Sequence, residues 1–145
     1  LALEKGDLRY VGLINPGGVC RLEHERADSG TYLSEVFDAK FIADWGNLRW
    51  LFGQRTAPDA EQTFGLCHIE PGQFNPRHSH PNCEEILYVV SGECDHTFGD
   101  QVFRLKPGMM IRVPAGVPHH AVCIGPEPLE AVISFSSGDR QTVGE

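Results

Sequence analysis

At 145 residues the chain is long enough for one domain with a buried core and short for two. Twenty Asp and Glu against twelve Lys and Arg, a formal net charge of −8, leave no basic surface for nucleic-acid phosphates or for an anionic membrane, so the expected partner is a small molecule. No apolar run approaches the ~18 residues needed to span a bilayer.

The opening Leu1-Ala2-Leu3-Glu4-Lys5 lacks the charged-then-apolar order of a secretion signal. Starting at Leu1 and not at Met is expected of a sequence that begins inside a longer chain. Five cysteines without a Cys-x-x-Cys pair suit free thiols in a reducing compartment, so the expected location is the cytoplasm.

In chain order, residues 8–14 read as a strand stopped by Asn15-Pro16-Gly17-Gly18, and residues 19–22 resume it. Residues 31–37 and 47–52 read as two more strands. Residues 1–58 carry no nameable chemistry and are expected to pack on the following domain, add strands to its sheet, or exchange with a second copy. A homodimer is the default expectation, because strand edges need cover. Trp45 and Trp50 fit a core or an interface.

The polar stretch from Thr56 to Gln62 ends this part. The next segment, 59–137, alternates as a half-buried sheet should. Leu66 and His68 fall on one face of the strand at 64–70 and Cys67 and Ile69 on the other, which puts His68 on the outside. The apolar run 86–90 ends in the turn Ser91-Gly92. Residues 93–98 and 101–105 flank the tight turn Gly99-Asp100, and 109–113 and 129–135 read as later strands. The tail 138–145 is polar and expected to be mobile or peripheral.

The chemistry concentrates between Gly72 and Gly92. His78 and His80 are two apart, so on an extended backbone both imidazoles point to one face. A carboxylate follows at Glu84 or Glu85. A second stretch, 108–123, turns through Pro114-Ala115-Gly116 and restarts at His119-His120, where it can supply a further imidazole. Any one of these groups is ordinary on a protein surface. Together they are the nitrogen and oxygen ligands of a borderline transition metal.

These residues resemble the two motifs of the cupin family. The first runs Gly, five residues, His-x-His, three or four residues, Glu, six residues, Gly, and is matched by Gly72, His78, His80, Glu85 and Gly92. The six intervening residues favour Glu85 over Glu84. The second is matched by Gly108, Pro114, Gly116 and His119, with Cys123 where the family pattern has Asn. The resemblance implies an all-β cupin jelly-roll barrel carrying additional N-terminal strands. It also implies one divalent metal ion, Fe, Mn, Ni, Co or Zn, held by His78, His80, Glu85 and His119.

Three neutral imidazoles and one carboxylate around a divalent ion leave a positive site with open positions, a catalytic layout and not a closed structural one. The expected function is a metal-dependent enzyme acting on a small oxygenated organic molecule, with dioxygenase-type oxidation by iron or manganese favoured. The alternatives are a redox-neutral isomerase, epimerase, lyase or decarboxylase on a sugar acid or keto acid, and a non-catalytic sensor.

Phe64, Phe74, Leu87, Val89, Met110, Ile133 and Phe135 are expected to line the cavity. His96 is the candidate acid/base, and Arg112 the candidate catalytic cation. Arg77 and Arg104 are further arginines able to hold a carboxylate. His120 should face away from His119. Cys123 should share its face and act as an apolar filler.

Overall fold

A computed structural model of the chain describes residues 10–14, 20–24 and 39–145. The strand expected at 31–37 lies outside them. Two compact units result, Leu1–Ala39 and Lys40–Glu145. In the first, β1 (Tyr10–Ile14) and β2 (Cys20–His24) form an antiparallel hairpin with Tyr10 opposite His24 and Ile14 opposite Cys20. β1 and β2 overlap the strands expected at 8–14 and 19–22.

Among the described residues every regular element is a strand, and no helix is long and apolar enough to cross a membrane. The remaining strands are β3 (Ala39–Ala43), β4 (Gly46–Phe52), β5 (Thr63–Ile69), β6 (His78–Ser79), β7 (Glu85–Ser91), β8 (Cys94–Phe98) and β9 (Gln101–Leu105). They continue with β10 (Met110–Val113), β11 (Ala121–Cys123), β12 (Leu129–Phe135) and β13 (Val143–Gly144). One sheet has the order β10-β7-β12-β5-β4-β3, a second β11-β8-β9, and β13 pairs with β6. The larger sheet thus takes in β3 and β4 from before the segment 59–137.

Period-two alternation decides which side chains go inside. Along β12, Leu129, Ala131, Ile133 and Phe135 are buried while the residues between them are partly open; Cys67 and Ile69 on β5 and Leu87 and Val89 on β7 complete that inner face. Cys94, Leu105, Ala121 and Cys123 from the smaller sheet join the same core cluster. All-β architecture with a core between two sheets is the jelly-roll arrangement the sequence implied.

Cys67, Cys83, Cys94 and Cys123 are free and buried. Burial pushes the Cys67 and Cys94 thiols up, so both are inert fillers. Cys123 Sγ donates to the Glu127 carbonyl at 3.3 Å, which fits the same role.

Gly92 closes the β7–β8 turn at φ 74°, where a Cβ would meet the Pro128 carbonyl oxygen at 2.3 Å. Only glycine fits this corner. The loop from Gln73 to His78 runs antiparallel to residues 119–123. His78 and His119 exchange backbone hydrogen bonds of 3.0 and 2.8 Å, and the Cys123 amide donates to the Gln73 carbonyl at 2.9 Å. This pairing brings the two halves of the histidine set together.

Residues 138–145 lie mostly at the surface and are tied back to the rest of the chain by hydrogen bonds. The Gln54 amide donates to the Gly138 carbonyl at 2.9 Å, β13 pairs Val143 with Ser79 and Gly144 with His78, and Arg77 Nε donates to Glu145 Oε2 at 2.6 Å. Gly138 itself passes so close to Ala60 that a Cβ would lie 1.9 Å from its carbonyl oxygen. Backbone hydrogen bonds and this tight crossing hold a polar segment that has no apolar periodicity of its own.

Candidate metal centre

His78, His80, Glu85 and His119 each offer a ligand atom, and these atoms all lie within 4.8 Å of one another. β6 and the turn after it carry the first two, the start of β7 carries Glu85, and the 119–123 segment carries the last. Within β7 the inward positions are Glu85, Leu87 and Val89. Glu84 therefore faces out, where its Oε2 accepts from Arg112 Nε at 2.8 Å. Ring centroids of His78 and His119 are 4.4 Å apart, and those of His78 and His80 5.0 Å.

Each imidazole is oriented by a backbone carbonyl. His78 Nδ1 bonds the Pro76 carbonyl at 2.7 Å, His80 Nδ1 that of Gln141 at 2.8 Å, and His119 Nδ1 that of Val117 at 2.9 Å. A carbonyl only accepts, so all three rings carry a proton on Nδ1 and turn Nε2 to the shared point. Glu85 Oε2 lies 3.0 Å from Nε2 of both His80 and His119.

Those two rings consequently face an acceptor at each nitrogen, which a neutral imidazole with one proton cannot satisfy. The cluster requires added positive charge at its centre, from extra protons or from a cation that takes the Nε2 lone pairs and the carboxylate. A divalent transition metal fits this donor set.

The charges respond accordingly. Burial alone would raise the Glu85 carboxyl, but the hydrogen bonds from His119 and His80 outweigh it and hold the group well below the usual carboxylate range. Burial would likewise lower His119, and its bond to Glu85 reverses this and raises it. His78, without that bond, is depressed by burial to about 4.

A cavity of about 220 Å³ opens beside the cluster. Its walls include Trp45, Leu48, Trp50, Leu87, Ile133 and Phe135. Of the residues expected to line it, Leu87, Ile133 and Phe135 do so. Phe64, Phe74 and Met110 are instead 38%, 55% and 51% exposed on outer surfaces, and Val89 is in the core. Trp45, just before β4, and Trp50 on β4, read as core or interface, supply the wall that those residues do not. His80 meets Phe135 edge-on, with centroids 4.9 Å apart.

His96 also lines the cavity. It is 1% exposed, stacks on His119 at 5.7 Å and 14°, and leaves Nδ1 buried without a hydrogen-bond partner. Burial lowers it to about 4, so it is a neutral imidazole at neutral pH.

Arg112 is elsewhere. Val113 of β10 is buried, so by alternation Arg112 faces out with Met110, its side chain 61% exposed and paired with Glu84. Arg104 pairs with Asp95 on the surface. His68 is on the outer face, bonded to Glu130 and Glu70, and His120 bonds Thr97, as their positions in the alternation implied.

Arg140 is a charged cavity residue that sequence reasoning missed. Its guanidinium carbon sits 4.3 Å from the Trp50 ring centroid and 5.0 Å from that of Phe135. A lone arginine in a polar tail carries no signal that would have found it.

Residues 65–135 match the family model described as a cupin domain. The chain is 29% identical over 91 residues to the polyketide synthase CurC of Streptomyces cyaneus, and 34% identical over 74 residues to germin-like protein 1 of Brassica napus. These matches cover 63% and 48% of the chain but 59% and 36% of the relatives, so the chain spans less than two thirds of either.

Among solved structures, oxalate decarboxylase from Lactobacillus farciminis superposes with a TM-score of 0.66 at 22% identity, over 73% of this chain and 33% of that one. That likeness is one of fold. A Klebsiella pneumoniae protein with a double-stranded β-helix domain gives 0.60 at 26% identity, over 67% and 82%.

Proposed function

Because the chain belongs to the cupin family, we propose that it is a metal-dependent enzyme, with His78, His80, Glu85 and His119 holding one divalent transition metal and a small oxygenated organic molecule bound beside it. The observation that carries this reading is the proton arrangement at the cluster. Three Nδ1–H groups anchored on carbonyls leave three Nε2 atoms and one carboxylate converging on one point, a donor set that a divalent cation would satisfy. When bound, an ion of this kind supplies Lewis acidity or, if redox-active, a route for electron transfer to dioxygen.

The chain's own residues then bind, orient and exclude water. Trp45, Leu48, Trp50, Leu87, Ile133 and Phe135 make an apolar wall that keeps bulk water from the reacting molecule. At about 220 Å³ the cavity is below the ~300–1,000 Å³ of sites for drug-sized ligands, which favours a small substrate. The backbone carbonyls keep the three imidazoles in one tautomer and orientation.

Dioxygenase-type oxidation with iron or manganese is the reading we favour, since an apolar, water-limited pocket beside a nitrogen-rich site suits it. A second reading, a redox-neutral isomerase, lyase or decarboxylase, is supported by His96. A buried neutral imidazole with an unpartnered Nδ1 is placed to accept or return a proton.

Four buried free thiols support a reducing, cytoplasmic setting. Exposed Ile86, Tyr88 and Val90 on the outer face of β7 support a homodimer that covers them.

The test is elemental analysis of protein purified without chelators or a nickel column, combined with oxygen uptake on small keto acids, phenols and diketones. Near-stoichiometric iron or manganese with substrate-triggered oxygen uptake is the expected result. Bound metal without uptake would favour the redox-neutral reading, and absence of tightly held metal would remove the proposal.

A further inference from the structure

Two arginines, Arg77 and Arg140, line the cavity. Arg77 is committed: Nε donates to Glu145 Oε2 at 2.6 Å and an NH2 group to the Gly99 carbonyl at 3.1 Å. Arg140 is not. Its guanidinium lies over the Trp50 ring and beside that of Phe135, and one terminal nitrogen bonds Thr142 Oγ1. Its Nε is buried without a hydrogen-bond partner. Among the described residues no carboxylate forms an ion pair with it.

An arginine costs most to bury when its charge and donors are left uncompensated. Stacking on an aromatic face stabilises the cation but leaves its in-plane N–H donors free. Those donors form a fork that matches a carboxylate. Phe135 contacts both this guanidinium and the ring of His80, so Arg140 and the histidine cluster share one small chamber. With a divalent ion in place the ligand set is net positive, Arg140 adds a further charge, and the apolar walls offer nothing to balance it.

We infer that Arg140, carried on the C-terminal segment, is the anion-binding residue of the cavity, and that the molecule it takes is a small organic acid whose carboxylate seats on the guanidinium while its other oxygens face the His/Glu cluster. This rests on the metal-centre reading for the second half of the contact. The carboxylate contact stands on Arg140 alone.

The test is titration calorimetry on the full chain, metal-free and loaded with one equivalent of Co(II), with malonate as probe and malonamide as its uncharged counterpart. Arg140→Gln should weaken malonate binding about tenfold or more, the loss expected for a charge-assisted hydrogen-bonded pair. Arg140→Lys should fall between, and malonamide should bind all three proteins alike.

Equal malonate affinity in wild type and Arg140→Gln would overturn the inference. So would a parallel loss of malonamide, which would make the role one of packing on Trp50. If Arg140→Gln does not fold, Arg140→Lys decides by the same comparison. Loss of Co(II) uptake with the Arg140 dependence intact would sink the metal reading and sustain this one. Normal Co(II) uptake with indifference to Arg140 would do the reverse.

Discussion

The His80 imidazole is steered by the backbone of Gln141, whose carbonyl accepts its Nδ1–H at 2.8 Å. The segment bearing Gln141 is in turn gripped by one exposed side chain. Asn82 Nδ2 donates to the Asp139 carbonyl at 2.7 Å, and Asn82 Oδ1 accepts from the Gln141 amide at 3.0 Å. A proposed metal ligand is thus oriented from the far end of the chain.

Asn82→Ala should therefore loosen the ring without touching the cluster. Outer hydrogen bonds that orient metal ligands are worth about 10–100-fold in metal affinity, and an indirect link should give the lower end, about tenfold. Competition against a chromogenic chelator measures this. The global unfolding midpoint should move little, because the lost bonds are at the surface. Unchanged metal affinity would show that β13 pairing alone sets the His80 orientation.

Alternation made the cluster legible: once His78 and His80 share a face and Glu85 opens an inward-facing strand, convergence follows from spacing. The same rule put Arg112 and Met110 on a common face, and the expectation that Met110 lines the cavity turned that face inward. The buried Val113 shows the opposite face is inward, so Met110 and Arg112 are outside. The Trp45 and Trp50 wall was hidden because β4 joins the sheet through pairing with β5, a long-range match that local pattern does not carry. Arg140 was hidden because its segment is held by backbone hydrogen bonds and not by an apolar stripe.

Metal-free protein should lose stability as pH falls from about 6.5 to about 4. His78 and His96 have folded values lowered by burial to about 4, below the ordinary 6.5, so the unfolded chain binds protons that the folded chain refuses. Their contribution is complete above 6.5 and is lost across that window, on the order of 3 kcal/mol for the deeply buried His96. His119, raised by Glu85, has the opposite sign: its contribution is full below 6.5 and fades above its folded value.

Urea midpoints across pH 4–7 for chelator-treated wild type and His96→Gln separate these effects. The variant should show the shallower dependence; identical slopes would mean that His96 is charged in the folded state.

Two glycines with nearly the same φ should differ in what they tolerate. Gly92 and Gly72 have φ of 74° and 75°, but a Cβ at Gly92 would lie 2.3 Å from the Pro128 carbonyl oxygen while none at Gly72 meets anything within 4 Å. Gly72→Ala should cost about 1 kcal/mol of backbone strain. Gly92→Ala adds a clash with backbone that cannot move aside, and should cost about 3 kcal/mol or more. Denaturant unfolding of both variants tests the difference, and equal losses would mean that the β7–β8 corner relaxes freely.

The neighbouring acids Glu84 and Glu85 provide the sharpest test of the centre, since the same chemical change at adjacent positions should have opposite consequences. Glu85 is 5% exposed and bridges Nε2 of His80 and His119, whereas Glu84 faces out against Arg112. Glu85→Gln removes the negative charge and places an amide among three Nε2 lone pairs, of which its NH2 group can satisfy only some. Metal content by elemental analysis should then fall below a tenth of wild type.

Glu84→Gln weakens one surface pair, worth at most about 1 kcal/mol, and should leave metal content unchanged. Retention of metal by Glu85→Gln together with its loss from Glu84→Gln would mean that β7 enters the barrel one residue out of register, with every inward side chain of that strand exchanged for its neighbour.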